Sequence, residues 1–183
     1  MSVTLVIGGA RSGKSRYAES LLRAHPTVTY VAPGPVPDGS DLEWAERISR
    51  HQARRPATWP TRETADLAGV IRVADHPVLI DCLSTWLTHL IDDIDAWQDR
   101  GRAAAHLEKE TVRLLEALAS ATADVVLVTN EVGCSVVPGT ASGRMFRDDL
   151  GRLNAAVSAV SDHVALVVAG RVLDLSDCPV VTG

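Results

Sequence analysis

The chain has 183 residues, of which 46% are hydrophobic and 22% are charged, a composition typical of a globular protein with a full core. We therefore expect a single domain over residues 1–183. The net charge of −5 argues against nucleic acid as the main partner and leaves room only for a local basic patch. No apolar run approaches the roughly 18–20 residues of a membrane-spanning helix, so we expect no membrane span.

The N-terminus leads directly into an apolar strand-like run, without the pattern of a signal peptide. We therefore expect a cytoplasmic protein. The cysteines are odd in number and lack the Cys-x-x-Cys spacing of a metal or redox site. Accordingly, Cys82, Cys134 and Cys178 are predicted to be buried free thiols in a reducing compartment.

The first predicted elements are a strand at residues 3–7, a glycine-rich loop, and a helix over about 16–22. The loop has the spacing of a phosphate-binding loop and consists of Gly8, Gly9, Ala10, Arg11, Ser12, Gly13, Lys14 and Ser15. Glycines let backbone amides converge on phosphate oxygens, and the helix start adds partial positive charge. Lys14 can then reach the β- and γ-phosphates of a nucleotide, and the Ser15 hydroxyl can bind Mg²⁺.

The later elements alternate between strands and helices. A strand at 27–32 precedes a proline-rich loop at 33–40, a helix that begins at residue 40 or 41 and ends before residue 56, and a connection at 59–63. Further on, we predict strands at 77–81 and 124–131, helices at 65–74, 102–119 and 143–161, a helix or turn at 82–90, and a hairpin at 164–175. On the helix at 102–119, the residues predicted to face inward are Leu107, Val112, Leu114, Leu115 and Leu118. This order predicts an α/β fold with a mainly parallel sheet between helices and a C-terminal antiparallel hairpin.

Polar residues follow the buried strands at the edge where the phosphate-binding loop also opens. Asp81 ends one apolar strand, where an acid can hold Mg²⁺ through water or can cap the helix that follows. Asn130 and Glu131 end another strand and suit substrate contact and structural hydrogen bonding equally well. The loop at 33–40 should face the same crevice.

His51 stands apart from the other five histidines because Arg47, Arg50, Arg54 and Arg55 surround it. Such a run is often a solvated basic face, but it could equally form a second phosphate-binding surface. The neighbouring positive charges disfavour the imidazolium form of His51. They therefore favour neutral imidazole, the form that can attack phosphorus.

Six groups of residues occur in a characteristic order along the chain. They are Gly8 to Ser15; Arg47-Ile48 with His51 and Arg55-Pro56; Trp59, Thr61 and Glu63; Asp81-Cys82; Thr129 to Gly133; and Arg144, Phe146, Arg147 and Asp148 with Gly151 and Asn154. Together they resemble the bifunctional adenosylcobinamide kinase/adenosylcobinamide-phosphate guanylyltransferases of cobalamin assembly. The resemblance runs nearly end to end, and the ordered set is far more specific than the phosphate-binding loop alone.

This resemblance implies a P-loop NTPase fold and an enzyme that phosphorylates adenosylcobinamide with ATP or GTP, Mg²⁺ sharing the charge on the phosphates. It also implies that GMP then passes from GTP to that phosphate through a guanylylated histidine, which corresponds to His51. The family's GTP-contacting positions correspond to Ala32, Pro33, Gly34, Gln52, Ala53, Arg54, Arg55, Glu63 and Asp81. Members are homotrimers, and some carry a second histidine where this chain has Arg50.

The loop at 132–142 and the helix after it are predicted to form part of the site for the corrinoid phosphate. Arg144, Arg147 and Asp148 share one face of that helix, and two arginines suit an anionic substrate. A solvated helix start would carry the same kinds of residue.

Two other functions account for parts of the sequence. A simpler small-molecule kinase would use Lys14, Ser15 and Asp81 but would leave the arginine cluster around His51 without a role. A GTP-dependent switch protein would need an Asn-Lys-x-Asp guanine-binding motif, whereas the candidate strand ends in Thr129-Asn130-Glu131. Formation of a covalent GMP adduct from GTP alone would separate the transferase from both.

Overall fold

The computed structural model describes residues 1–34, Glu46 and residues 55–181. The loop predicted beyond residue 34 and the helix predicted from residue 40 or 41 therefore lie outside the described residues. The same is true of the predicted site residues His51, Gln52, Ala53 and Arg54.

The described part of the chain forms seven strands and five helices. The strands are β1 (Val3–Gly8), β2 (Thr29–Ala32), β3 (Thr61–Glu63), β4 (Val78–Asp81), β5 (Val125–Asn130), β6 (His163–Val168) and β7 (Arg171–Asp174). The helices are α1 (Lys14–Leu21), α2 (Leu67–Arg72), α3 (Leu83–Asp93), α4 (Arg100–Ala119) and α5 (Ala141–Ala159). Among these helices, none has the length and apolar character needed to span a bilayer.

The strands form one sheet in the order β3-β2-β4-β5-β1-β6-β7. Every neighbouring pair is parallel except β6 and β7, which pair antiparallel as the C-terminal hairpin. The prediction of a mainly parallel sheet with such a hairpin is confirmed. Because six strands run in one direction, their carboxyl ends meet at one edge of the sheet, where ligands bind in folds of this kind.

Successive residues of the central strands enter two different hydrophobic clusters. Val126 and Val128 pack with Ala18 of α1 on one face of the sheet. Val125 and Leu127 pack on the opposite face with residues of α2 to α5. The sheet is therefore covered on both faces, which explains why β4 and β5 are unbroken apolar runs in the sequence.

Two predictions about chain segments were wrong. Residues 61–63, predicted to be part of a connection, form the edge strand β3, in which Thr61 pairs with Tyr30 of β2. All three β3 side chains are exposed, so no apolar pattern marks this strand in the sequence. Val112, predicted to face the core, is 48% exposed. It lies five residues after buried Leu107, and five residues turn a helix to about 140° away on its circumference.

The prediction that all three cysteines are buried was partly wrong. All three are free thiols, and Cys82 is buried at the start of α3. Cys134 and Cys178 are exposed, because Cys134 lies in the loop after β5 and Cys178 lies beyond β7, both outside the two hydrophobic clusters.

Candidate active site

The phosphate-binding loop joins β1 to α1 and is stabilised by contacts within itself. The Ser12 amide and the Lys14 Nζ both donate to the Gly9 carbonyl, at 3.3 and 3.2 Å. Gly13, directly before α1, has a φ of 100°, a conformation that glycine adopts without steric cost. The chain thus turns sharply into α1, where the Lys14 amide donates to Ser12 Oγ at 3.4 Å, and a helix N-terminus of this kind suits an anion.

Neighbouring strands hold this loop in place. A Cβ on Gly8 would lie 2.5 Å from the Val167 carbonyl oxygen of β6, so only glycine allows this approach. The Gly8 carbonyl accepts a hydrogen bond of 3.2 Å from the Glu131 amide. On the other side, the Gly170 amide in the β6–β7 turn donates to the Ser12 carbonyl at 3.0 Å.

Lys14 is buried within the loop, only 6% exposed. A buried ammonium group needs polar partners, and the Gly9 carbonyl is one of them. Ser15 is half-buried on the first turn of α1, and Arg11 is exposed with a left-handed φ of 56°. The loop therefore presents one buried and one exposed positive charge where a phosphate chain would bind.

Asp81, Tyr30 and Arg55 form a contact cluster at the ends of β2 and β4. The Tyr30 hydroxyl donates to Asp81 Oδ2 at 3.1 Å. The Arg55 guanidinium lies over the Tyr30 ring, with its Cζ 3.6 Å from the ring centroid, and donates to Thr61 Oγ1 at 3.0 Å. Burial, reinforced by the Asp81 charge, raises the pKa of Tyr30 well above its ordinary value. Tyr30 is therefore a neutral phenol that donates a hydrogen bond to the carboxylate.

The predicted nucleotide loop after β2 begins beside α3. Pro33 is buried, and its carbonyl oxygen lies 3.0 Å from His89 Nδ1. Since a carbonyl only accepts, Nδ1 of His89 carries the proton in this contact. Ala32 and Gly34 are half-buried on either side of Pro33. Glu63 ends β3 fully exposed, beside an open groove of 460 Å³.

The carboxyl end of β5 carries a network of buried polar groups. Thr129 Oγ1 donates to Asn154 Oδ1 at 2.6 Å, and Asn154 Nδ2 donates to the Asn130 carbonyl at 3.0 Å. The Asn130 side chain donates to Ser84 Oγ at 3.1 Å, and that hydroxyl lies 2.8 Å from Cys82 Sγ. Asn130 Oδ1 is buried without a hydrogen-bond partner among the described residues. A buried acceptor of this kind is costly unless a donor reaches it.

The loop after β5 is organised by its own hydrogen bonds. The Glu131 carboxylate accepts from the Gly133 amide, so this side chain turns back onto its own loop. Arg144, in the first turn of α5, donates through Nη1 to the carbonyls of Pro138 and Gly139 at 2.9 and 3.1 Å. Arg144 therefore ties the end of the loop to the helix.

The predicted substrate residues Arg147 and Asp148 are paired with each other. Arg147 Nε and Nη2 both donate to Asp148 Oδ1, at 3.1 and 2.9 Å, and Arg100 Nη2 lies 3.9 Å from Asp148 Oδ2. The hydrogen bond from Arg147 lowers the pKa of the Asp148 carboxyl group. The carboxylate thus neutralises part of the Arg147 charge and holds its guanidinium in one orientation.

Ser15 and Asp81 are the residues of this edge that suit Mg²⁺, because hard cations prefer oxygen ligands. No group of three or more His, Cys, Asp or Glu that could hold a metal occurs within residues 1–34 and 55–181. This does not disfavour Mg²⁺ with a nucleotide, since Mg²⁺ keeps several waters and takes one or two protein ligands plus phosphate oxygens. The available oxygens therefore fit such an ion.

The structure brings most of the described predicted site residues to the carboxyl edge of the sheet. These residues lie at or directly after the carboxyl ends of parallel strands: the phosphate-binding loop, Ala32 to Gly34, Glu63, Asp81, Asn130 and Glu131. The start of α5 follows the loop that leaves β5 at the same edge. Sequence reasoning missed Tyr30 and His89. For Tyr30 a signal existed, since a buried tyrosine usually needs a partner for its hydroxyl. For His89 there was none, because its partner is 56 residues away.

Comparison with protein families gives a match over residues 4–175 to the model described as cobinamide kinase / cobinamide phosphate guanyltransferase. The bifunctional adenosylcobalamin biosynthesis protein CobU of Salmonella typhimurium is 40% identical over 181 residues, covering 91% of this chain and 95% of that protein. The protein of the same name from Escherichia coli is 39% identical over 176 residues, with 91% and 95% covered. The bifunctional adenosylcobalamin biosynthesis protein CobP of Pseudomonas aeruginosa is 38% identical over 182 residues, with 96% and 98% covered.

Among solved structures, a prototypical ATPase of a bacterial type III secretion system has a TM-score of 0.56 with 10% sequence identity. The match covers 90% of this chain and 50% of the ATPase chain, so this protein spans about half the length of that one. At this identity the likeness concerns the fold alone. It confirms the predicted P-loop NTPase fold.

Proposed function

The chain belongs to the cobinamide kinase / cobinamide phosphate guanyltransferase family, and from this premise we propose that it carries out both reactions on adenosylcobinamide. In the first, the aminopropanol hydroxyl attacks the γ-phosphorus of ATP or GTP, and the nucleoside diphosphate leaves. In the second, GMP passes from GTP to the new phosphate, giving adenosylcobinamide-GDP and pyrophosphate. The observation that carries the proposal is the phosphate-binding loop, complete and folded at the carboxyl edge of the sheet.

For the kinase reaction, the amides of residues 8–15 and the α1 N-terminus bind the phosphate chain. Lys14 exchanges its contact with the Gly9 carbonyl for the β- and γ-phosphates and stabilises the charge that develops on them. Ser15 and Asp81 would hold Mg²⁺, which neutralises phosphate charge when it is bound. Arg11, which is exposed within the loop, is available to the same anion.

For guanylyl transfer, a nitrogen of neutral His51 attacks the α-phosphorus of GTP, and pyrophosphate leaves. An oxygen of adenosylcobinamide phosphate then attacks the same phosphorus, and the histidine is released. In this proposal, the residues that contact GTP are Ala32, Pro33, Gly34, Gln52, Ala53, Arg54, Arg55 and Glu63. The position of Arg55 over Tyr30, at the same edge as Asp81, supports its part in this assignment.

The substrate side of the site comprises Asn130, Glu131, Arg144, Arg147 and Asp148. Support comes from the position of these residues at the end of β5 and the start of α5, at the edge of the sheet where the phosphate-binding loop also lies. Arg147 offers the positive charge that a phosphate requires. Arg144 shapes the loop through the Pro138 and Gly139 carbonyls.

The resemblance also underlies the proposal of a homotrimer that acts in the cytoplasm, with nucleotide sites near the subunit boundaries. A native mass measurement of the full chain tests the trimer directly. A monomeric mass at micromolar concentration would contradict it.

Two labelled nucleotides test the function. With γ-labelled ATP, Mg²⁺ and adenosylcobinamide, label should enter the corrinoid; with α-labelled GTP, the phosphorylated corrinoid should become labelled with release of pyrophosphate. Transfer of γ-phosphate without any transfer of GMP would identify a simpler kinase. GTP hydrolysis without transfer to a corrinoid would identify a switch protein.

A further inference from the structure

Tyr30 contacts two of the residues assigned to the nucleotide, and it does so from within the core. Its side chain is 3% exposed and belongs to the hydrophobic cluster under α1. Its backbone is paired on both sides, with Thr61 of β3 and with Leu79 of β4. A side chain held in this way has little freedom to move, so it can hold the groups that it contacts in fixed positions.

The first contact is the hydrogen bond from the Tyr30 hydroxyl to Asp81 Oδ2 at 3.1 Å. The hydroxyl is the donor and the carboxylate oxygen the acceptor, because an ionised carboxylate only accepts. A carboxylate has about four lone-pair positions, so Asp81 can accept this bond and still bind a metal-bound water. A hydrogen bond of this kind orients a ligand's carboxylate without occupying all of it.

The second contact is the stacking of Arg55 on the Tyr30 ring, with 3.6 Å between Cζ and the centroid. The same guanidinium donates to Thr61 Oγ1 at 3.0 Å. Stacking uses the face of the guanidinium, whereas its N–H donors lie in the plane of the group. Arg55 is also four positions after His51 in the sequence.

We propose that Tyr30 is a positioning residue shared by both reactions: its hydroxyl orients the Asp81 carboxylate, and its ring holds the Arg55 guanidinium. This inference rests on the proposed function. It adds a residue to which neither the motif nor the family resemblance assigns a role. Tyr30 itself touches no reacting atom in this scheme. Its effect passes through Asp81, which serves the metal side of the nucleotide, and through Arg55, which serves the phosphates.

Two substitutions separate the two contacts. Tyr30→Phe removes the hydroxyl and keeps the ring, so only the orientation of Asp81 should suffer. Tyr30→Leu removes both contacts. Tyr17→Phe is the matched control, because Tyr17 packs against the same hydrophobic cluster and no hydrogen bond of its hydroxyl is described within residues 1–34 and 55–181.

The readout is the affinity of the full chain for GTP in the form of an analogue with a methylene group between the α- and β-phosphates, which cannot transfer GMP. It is measured by calorimetry with Mg²⁺ and again with EDTA, beside the melting temperature. Tyr30→Phe should weaken GTP binding in Mg²⁺ by about tenfold to a hundredfold and leave binding in EDTA nearly unchanged. Tyr30→Leu should add a loss of about threefold to thirtyfold that is present in both conditions. Tyr17→Phe should match the wild type in both.

A cycle with Asp81→Asn completes the test. In that background Tyr30→Phe should cause no further loss of Mg²⁺-dependent binding, because the carboxylate that it orients is gone. If the Tyr30→Leu protein does not fold, Arg55→Met replaces it and should weaken GTP binding in EDTA. Unchanged binding by Arg55→Met would overturn the role of the ring.

Tyr30→Phe behaving like Tyr17→Phe in Mg²⁺ would overturn the role of the hydroxyl, and so would equal losses in Mg²⁺ and in EDTA. These binding measurements need no corrinoid. A wild-type protein that modifies no corrinoid would therefore refute the proposed function while leaving Tyr30 testable. An active wild type with unaffected Tyr30 variants would refute the positioning role alone.

Discussion

The amide of Gly170, in the turn between β6 and β7, donates a hydrogen bond of 3.0 Å to the carbonyl of Ser12 in the phosphate-binding loop. In a trans peptide the carbonyl and the following N–H point in opposite directions. The bond that draws the Ser12 carbonyl toward the hairpin therefore turns the Gly13 N–H away from it. The C-terminal hairpin thus takes part in shaping the anion site.

Substitution of Gly170 tests this contact. Its φ of 74° is unfavourable for a β-branched residue, so Gly170→Val should lose about 1–2 kcal/mol of unfolding free energy or more. It should also weaken GTP binding, since the turn moves away from Ser12. Gly170→Asn is the control, because asparagine tolerates this conformation and keeps the amide donor. Urea unfolding and GTP calorimetry check both; equal GTP affinities in the two variants would contradict the role of the turn.

Gly8 and Gly9 form a matched pair for a second prediction. A Cβ at residue 8 would meet the Val167 carbonyl at 2.5 Å and Ser12 Oγ at 2.7 Å, whereas a Cβ at residue 9 has nothing within 4 Å. Gly8→Ala should therefore lower the unfolding free energy by about 1–3 kcal/mol through forced backbone shifts. Gly9→Ala should leave it nearly unchanged. Chemical denaturation measures the unfolding free energies of the two variants. Comparable values would show that β6 shifts at little cost to make room for the added Cβ.

Lys14→Ala should abolish nucleotide chemistry while leaving the fold intact. The loss of comparable transition-state stabilisation costs roughly 2.7–4 kcal/mol, or about a hundredfold to a thousandfold in rate. Lys109→Ala is the control, since Lys109 is the only other lysine of the chain and is exposed on α4. Kinase assays on the purified variants decide. Activity of Lys14→Ala within about tenfold of the wild type would contradict the assignment.

Arg147→Ala should raise the KM for adenosylcobinamide phosphate by about tenfold or more, because a charge-assisted contact to the phosphate is lost. Formation of the GMP adduct should not fall. Arg152→Ala is the control, since Arg152 lies on the same helix and is likewise paired with an acid, Asp149. An equal loss of adduct formation and of corrinoid affinity would instead assign Arg147 to GTP.

His51→Ala should take up no label from α-labelled GTP with Mg²⁺ in the absence of corrinoid. It should still phosphorylate adenosylcobinamide from ATP, because Lys14, Ser15 and Asp81 are retained. In the wild type the protein-bound label should be lost in acid and survive base, as a phosphoramidate does. His25→Ala is the control and should take up label normally, because His25 lines a cavity near the amino ends of β1 and β5. Full labelling of the His51→Ala protein would contradict the assignment of His51 as the nucleophile.

Apart from β3, the order of the described strands and helices could be predicted from the sequence, as could the phosphate-binding loop and the family. These features depend on local patterns: apolar runs between polar turns, helical spacing, and a loop motif with fixed positions. Asp81 and Asn130 could be assigned to one edge because parallel strands end together. The strand β3 escaped because its exposed side chains carry no apolar pattern.

The contacts between side chains that are distant in the sequence could be found only in the folded structure. Tyr30 reaches Asp81 across 51 positions of the chain, and Gly170 reaches Ser12 across a sheet whose strand order follows from the packing of whole faces. No local periodicity encodes such pairs, since each depends on register and on the close approach of neighbouring strands. The residues proposed to carry the chemistry could therefore be predicted from the sequence, whereas the residues that contact them could be identified only from the assembled sheet.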